Sequence, residues 1–403
     1  MSIEIEAALW PRSVRAEHEV AALLQQYHTE NKGSFHVRTR SMDAQNPWTD
    51  VSNTMSHRKD TDITELGSSW VDGLIATHSL RPFSAEEFKT LGGADAFALP
   101  PWTVVKTGDV ESVYSIPYRA DARLIYYRRD LLEQAGIDES TAFTTPHNVL
   151  QTLARLKQRA DVKSPLAAPV TSDRSMSLSF AASWVWSTGG DFVDPTGERV
   201  IFDQPAALAG IANYLRAADY IPPALRELEP HETDLEFCRG NAAVAFSGPW
   251  LFFSLHNHPA FEPVLRNMAI ALPPQQSCNG GTHLVIWRHS ANPEAAFDFV
   301  RFLTSSRVQA ELPGVSFGIP ANRAAIQASP HRDDPNYQTI VKAIQTGRSY
   351  GNLPMWNIVE DRLSRLLLQI AQEYFETPHI DLDSFLALRL KPLARRVNIT
   401  LSN

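Results

Sequence analysis

Residues 112–138 read SVYSIPYRADARLIYYRRDLLEQAGID, and no other stretch restricts the fold of this chain as strongly. A β-branched and aromatic run climbs to Pro117 and Tyr118, and a second run from Leu124 to Tyr127 passes straight into a helix near Arg129. One strand enters and another leaves, as expected of a backbone passing from one lobe to a second. Asp121 lies between the two runs. At such a passage its carboxylate is expected to face the space between lobes, where it can accept two hydroxyl groups.

With 403 residues the chain exceeds what one hydrophobic core sustains, so two lobes of ordinary domain size are expected. Apolar residues make up 43% and charged residues 20%, enough for real cores. The formal charge of −8 and the lack of a basic stripe argue against a nucleic-acid partner. A neutral, hydroxyl-rich ligand suits the composition better. No apolar run reaches the roughly 18 residues of a membrane span, and residues 1–10 alternate as a strand through Ile3, Ile5, Ala7 and Leu9. The basic, apolar and small-residue parts of a secretory signal are missing, which leaves two expectations: a mature form carrying Met1, or a cytoplasmic chain. Cys238 and Cys278 stay open as a pair or as separate thiols.

Apolar spacing gives a helix over 14–27, a strand at FHVRTR, a strand over 62–66 and a helix holding Trp70 and Leu74. Strand and helix alternate, so the expected class is α/β with mostly parallel sheets flanked by helices. Residues 79–111 read as loops and short helices. Thr145 and Pro146 cap a helix to about Ala160, LAAPV is a short strand, and helices follow near 179–188 and 205–218. The segments NAAVAFSGPW, NMAIALP and GTHLVIW read as strands, the first ending in a tight Gly248-Pro249 turn. Helices follow over 293–304 and 356–375, the second of them the longest clear one.

Signatures of catalysis are few. Gly314 to Gly318 match GxSxG, but a helix precedes and Ile319-Pro320 follows, so Ser316 reads as a loop residue and not a nucleophile. Phosphate loops, dinucleotide fingerprints and HExxH are absent. His256 and His258 lack a third ligand at metal spacing, so no metal and no cofactor are expected. Asp121, Asp191 and Glu65 are the carboxylates that a hydrolase would use, and sequence cannot separate that role from hydroxyl binding. Among nine tryptophans, Trp10, Trp70 and Trp250 fall at or near strand ends, where open α/β sheets bind ligands. Trp184, Trp186 and Trp287 read as core; Trp48 and Trp102 lie in stretches that the pattern does not assign.

The 112–138 segment resembles the interlobe crossing of the extracellular solute-binding proteins that serve ABC-type sugar importers (family 1, maltose/trehalose type). Three further segments share the resemblance: Phe237 to Val244 with Ser247-Gly248-Pro249-Trp250; Gly280 to His283 followed by Asn292 to Leu303; and Gly318-Ile319-Pro320. Together they span about residues 60–375. The resemblance implies two lobes of periplasmic-binding-protein type (class II-like). The N-terminal lobe would hold 1–117 plus about 282–318, and the C-terminal lobe 118–281 plus about 319–403. It implies a hinged monomer that closes on a carbohydrate, presents it to permease subunits outside the cytoplasm and performs no chemistry. A carbohydrate-active hydrolase and a cytoplasmic sugar sensor are the alternatives. Ligand contacts implied are Asp121, Tyr118 and Trp250, with Trp10, Trp70 and Trp356 as further stacking groups, and Gly281, His283 and Arg348. Gly67 departs from relatives that carry an acid three positions before the tryptophan.

Overall fold

The computed structural model describes residues 3–10, 14–30, 35–43, 47–57, 60–98, 104–107, 110–171, 174–311, 318–350, 353, 356–377 and 380–401. Ser316 and Trp102 lie outside them. Twelve strands are described. In the first part of the chain they are β1 (Ile3–Leu9), β2 (Phe35–Ser41), β3 (Thr61–Gly67), β4 (Val104–Thr107), β5 (Val110–Val113) and β6 (Ile116–Ala122). The later ones are β7 (Leu124–Arg128), β8 (Ser164–Ala167), β9 (Ala242–Ser247), β10 (Met268–Ala271), β11 (Asn279–Ile286) and β12 (Ile319–Pro320).

Two compact units result, Met1–Asp121 with Gly280–Asp334, and Ala122–Asn279 with Pro335–Asn403. The first holds a six-stranded sheet in the order β12-β6-β11-β3-β1-β2 and the β4-β5 hairpin. β1 runs parallel to β2 and β3, whereas β11 is antiparallel to β3. Successive residues of one strand serve opposite faces: Leu284 and Ile286 join a core with Ile5, Ile63 and Phe299, while Val285 joins Leu66, Val71 and Trp287. The second unit holds the sheet β10-β7-β9-β8. There β7 is antiparallel to both β10 and β9, and β8 is parallel to β9. Its core gathers Trp184, Phe192, Leu215, Val244, Trp356 and Leu386.

Several expectations change. Both sheets are mixed and not mostly parallel, because β7 and β11, which follow chain crossings, enter against their neighbours. The unit boundaries fall at 121/122, 279/280 and 334/335, not at 117/118, 281/282 and 318/319. The last difference is large because β12 pairs with β6, with Ile319 opposite Ala120. Asn322 then fastens the stretch by donating to Thr304 O and capping the helix Arg323–Gln327. The β4-β5 hairpin lies in the stretch read as loops and short helices. Gly248-Pro249 is not a tight turn but the start of a helix, Pro249–Asn257, with proline at the position where a missing N–H costs nothing. The Thr145 cap forms as read, its hydroxyl accepting from Asn148 N–H at 3.1 Å. No helix among the described residues is long and apolar enough to cross a membrane.

Candidate functional site

In the first unit the ends of β1 and β3 bring Trp10, Glu65 and Trp70 together. Glu65 is fully buried, which costs several kcal/mol for a charge without partners. Its partners are the Trp10 backbone N–H at 2.9 Å, the Thr282 hydroxyl at 2.7 Å and the Arg119 guanidinium at 3.6 Å. Burial opposes the charge of Arg119, but Glu65 and Tyr118 together hold its pKa above the ordinary value. The indole of Trp10, whose backbone N–H joins this network, stacks on Trp70 at 5.8 Å, and Trp48 meets Trp70 edge-on at 5.5 Å. All three indoles are only partly buried. At Gly67 an added Cβ would meet the Trp70 ring at 3.5 Å, an ordinary contact. Asp121 is partly exposed at the last residue of the first unit.

Three expected contact residues of this unit have structural work instead. Tyr118 and His283 have no exposed surface, which removes them as ligand contacts. His283 shares a 2.9 Å hydrogen bond with Ser115, and burial pushes its pKa down to about 3, so it is neutral. Gly281 has φ +139°, and a Cβ there would stand 1.9 Å from Arg119 O. Close approach of two backbones, not a ligand, requires the glycine.

In the second unit Arg348 is held on both sides. Its guanidinium lies 4.6 Å above the Trp186 ring and pairs with Asp191 at 2.7 Å. Asp191 also accepts the Trp186 indole N–H at 3.0 Å and the Phe192 N–H at 2.9 Å. A planar cation fixed by stacking and a carboxylate keeps its remaining donors in one orientation. Trp356 is 3% exposed and packs on Tyr350 and Phe192, so it is core and not a stacking platform.

Trp250 is 9% exposed. Its indole folds back over Gly248, where a Cβ would stand 2.2 Å from the ring. Tyr126 donates to Gly248 O at 2.7 Å, and Arg123 covers the indole at 5.0 Å and Phe180 at 5.5 Å. An exposed indole at a lip is therefore corrected to a buried one beneath a guanidinium. Asp234 accepts from the Trp250 indole at 2.7 Å, and burial pushes its carboxyl pKa up to about 7, against weaker opposition from Ser247, Trp250 and Arg123. Arg119, Arg123, Thr282 and Asp234 were missed by sequence reasoning. The two arginines flank Asp121 and were legible as candidates; nothing local marks Asp234. No disulfide joins Cys238 and Cys278, both of which are buried. Among the described residues no three His, Cys, Asp or Glu gather to hold a metal.

The family described as bacterial extracellular solute-binding protein matches residues 22–339. A probable ABC transporter-binding protein of Deinococcus radiodurans is 26% identical over 283 residues, covering 67% of this chain and 61% of its own length. The match therefore spans less than two thirds of that relative. Among solved structures, a solute-binding protein of Thermotoga lettingae bound with alpha-D-tagatose is similar at TM-score 0.80 and 18% identity, covering 99% of this chain and 100% of that one. Maltose-bound MalE3 of T. maritima gives 0.78 and 21%, with 97% and 100% covered. A solute-binding protein of Agrobacterium radiobacter in complex with ribitol gives 0.80 and 15%, with 99% and 98% covered.

Proposed function

Because the chain belongs to the family of bacterial extracellular solute-binding proteins, we propose that it binds a carbohydrate or polyol and hands it to the permease of an ABC-type importer. The observation that carries the ligand class is the partly exposed indole group Trp10, Trp48 and Trp70, tied through the Trp10 N–H to the Glu65–Arg119–Thr282 network. Sugar rings present an apolar C–H face that stacks on indole, and their hydroxyl rims need oriented donors and acceptors. Arg348, fixed by Asp191 and Trp186, supplies such donors from the second unit. Tagatose, maltose and ribitol, bound in the similar structures, are neutral and hydroxyl-rich. Asp121, Trp10, Trp70 and Arg348 are the contacts of this proposal. The protein works outside the cytoplasm, as a monomer, and without chemistry on its ligand.

Glu65 and Asp191 are already engaged by several donors each, which favours binding over a hydrolase pair. Reducing-end assays on oligosaccharides over long incubation test this, and released product would reject it. The ligand class is tested by thermal shift against sugars and polyols: a ligand at 100 times its dissociation constant adds about 2.7 kcal/mol of stability. A library in which no sugar or polyol moves the midpoint would reject the class. Closure on the ligand, expected from the chain crossings, belongs to the same proposal; the radius of gyration in solution should fall on saturation.

A further inference from the structure

The helix Leu382–Leu401 buries Leu382, Leu386, Leu390, Leu393, Ala394 and Val397, and Asn398 anchors it through hydrogen bonds with the Val200 backbone at 2.8 and 3.0 Å. At 3.6 residues per turn, Leu388, Pro392, Arg395 and Ile399 fall on the opposite side. Leu388 is 72% and Ile399 54% exposed, the two most exposed large apolar residues among those described. Lys391 and Arg395 edge this strip on one side, Arg389 and Arg396 on the other. Beside Arg396 a groove of about 330 Å³ lies against the helix Trp356–Glu376, lined also by Arg362, Arg365, Leu366, Gln369 and Leu393. Arg365 pairs with Asp361 and Arg389 with Glu373. Arg362, Lys391, Arg395 and Arg396 have no ion-pair partner among the described residues.

A chain of net charge −8 thus concentrates cations around an exposed apolar strip on one helix, a stripe that whole-chain composition concealed. An apolar strip edged by Lys and Arg matches the boundary between acyl chains and anionic headgroups. A second copy fits poorly, since its equivalent face carries the same charge. We propose that this face and groove dock the protein on an anionic phospholipid surface. Leu388 and Ile399 enter the acyl boundary, while Arg362, Lys391, Arg395 and Arg396 hold lipid phosphates. The acidic remainder is repelled by the same surface, so the contact also orients the molecule.

Flotation of the full chain with phosphatidylglycerol-containing vesicles tests this, with pure phosphatidylcholine vesicles alongside. Binding is expected to the anionic vesicles at about 0.1 M salt, and to fall at least about tenfold at about 0.5 M salt or without anionic lipid. The double variant Arg395→Glu, Arg396→Glu should lose at least about tenfold. Leu388→Gln with Ile399→Gln should lose at least about threefold at both salts. These side chains are exposed, so circular dichroism should be unchanged, and sugar titration should be unaffected in both variants whatever ligand the binding site takes. Three results would overturn the proposal: no flotation of the parent chain, equal flotation of parent and variants, or binding to soluble polyglutamate with none to vesicles, which would indicate an acidic protein partner.

Discussion

The Trp250 indole N–H donates to the Asp234 carboxyl group at 2.7 Å, and both residues are at most 9% exposed. With its pKa raised to about 7 by burial, Asp234 binds a proton more tightly in the folded chain than in the unfolded one. The stabilisation it supplies is present in full below the unfolded value near 3.8 and is lost as pH rises through about 7. Asp234→Asn keeps the acceptor but removes the titration. Unfolding free energies measured by denaturation from pH 4 to pH 8 should decline less steeply in the variant, by up to a few kcal/mol across the range. Identical slopes would show that Asp234 is not the titrating group.

Gly281→Ala should destabilise the first unit by about 2–4 kcal/mol, because the new methyl must displace the Arg119 carbonyl while the backbone keeps a positive φ. Chemical denaturation measures it. A change under about 0.5 kcal/mol would mean that β6 and β11 separate more freely than the structure allows.

The tryptophans should divide by role. Trp70→Ala should weaken sugar binding by about 1.5–3 kcal/mol while the fold persists. Trp356→Ala should cost about 3–5 kcal/mol of stability, as a large side chain is removed from a closed core. Calorimetric titration and denaturation on both variants would expose an exchange of roles.

Arg348→Lys should bind ligand as weakly as Arg348→Ala, at least about tenfold below the parent, since an ammonium group neither stacks flat on Trp186 nor presents a fork. Recovery of affinity in the lysine variant would reduce the residue to a point charge.

Asp121→Asn should fold normally and bind at least about tenfold more weakly, a loss of about 1.4 kcal/mol. Titration giving an affinity within about twofold of the parent would remove Asp121 from the site.

Much of the fold was legible because its cues are local. The Thr145-Pro146 cap and the apolar face of the helix Pro293–Thr304 each reflect physics within a few residues, and β1 forms where read although it is buried on both faces from Ile5 to Leu9. The site was less legible. Tyr118 and His283 carry hydrogen-bonding groups that suit a ligand, yet strand order places them between layers. Asp234 reaches Trp250 only after helix Pro230–Cys238 packs on β9, a tertiary event without a sequence spacing. The C-terminal helix carries Leu382, Leu386, Leu390, Leu393 and Val397 at spacings of three and four, with Pro392, a residue that ordinarily interrupts such a pattern, inside it.

β11 lies between β6 and β3 in the six-stranded sheet, yet it is made after nearly 160 residues of the second unit. A ribosome that has delivered residues 1–279 has released β1, β2, β3 and β6 but not the strand that joins β3 to β6. The first unit therefore cannot close its sheet during most of synthesis, and its pairing is among the most non-local in the chain, which slows folding. Until residue 286 is made, β3 and β6 therefore lack the strand that lies between them in the finished sheet.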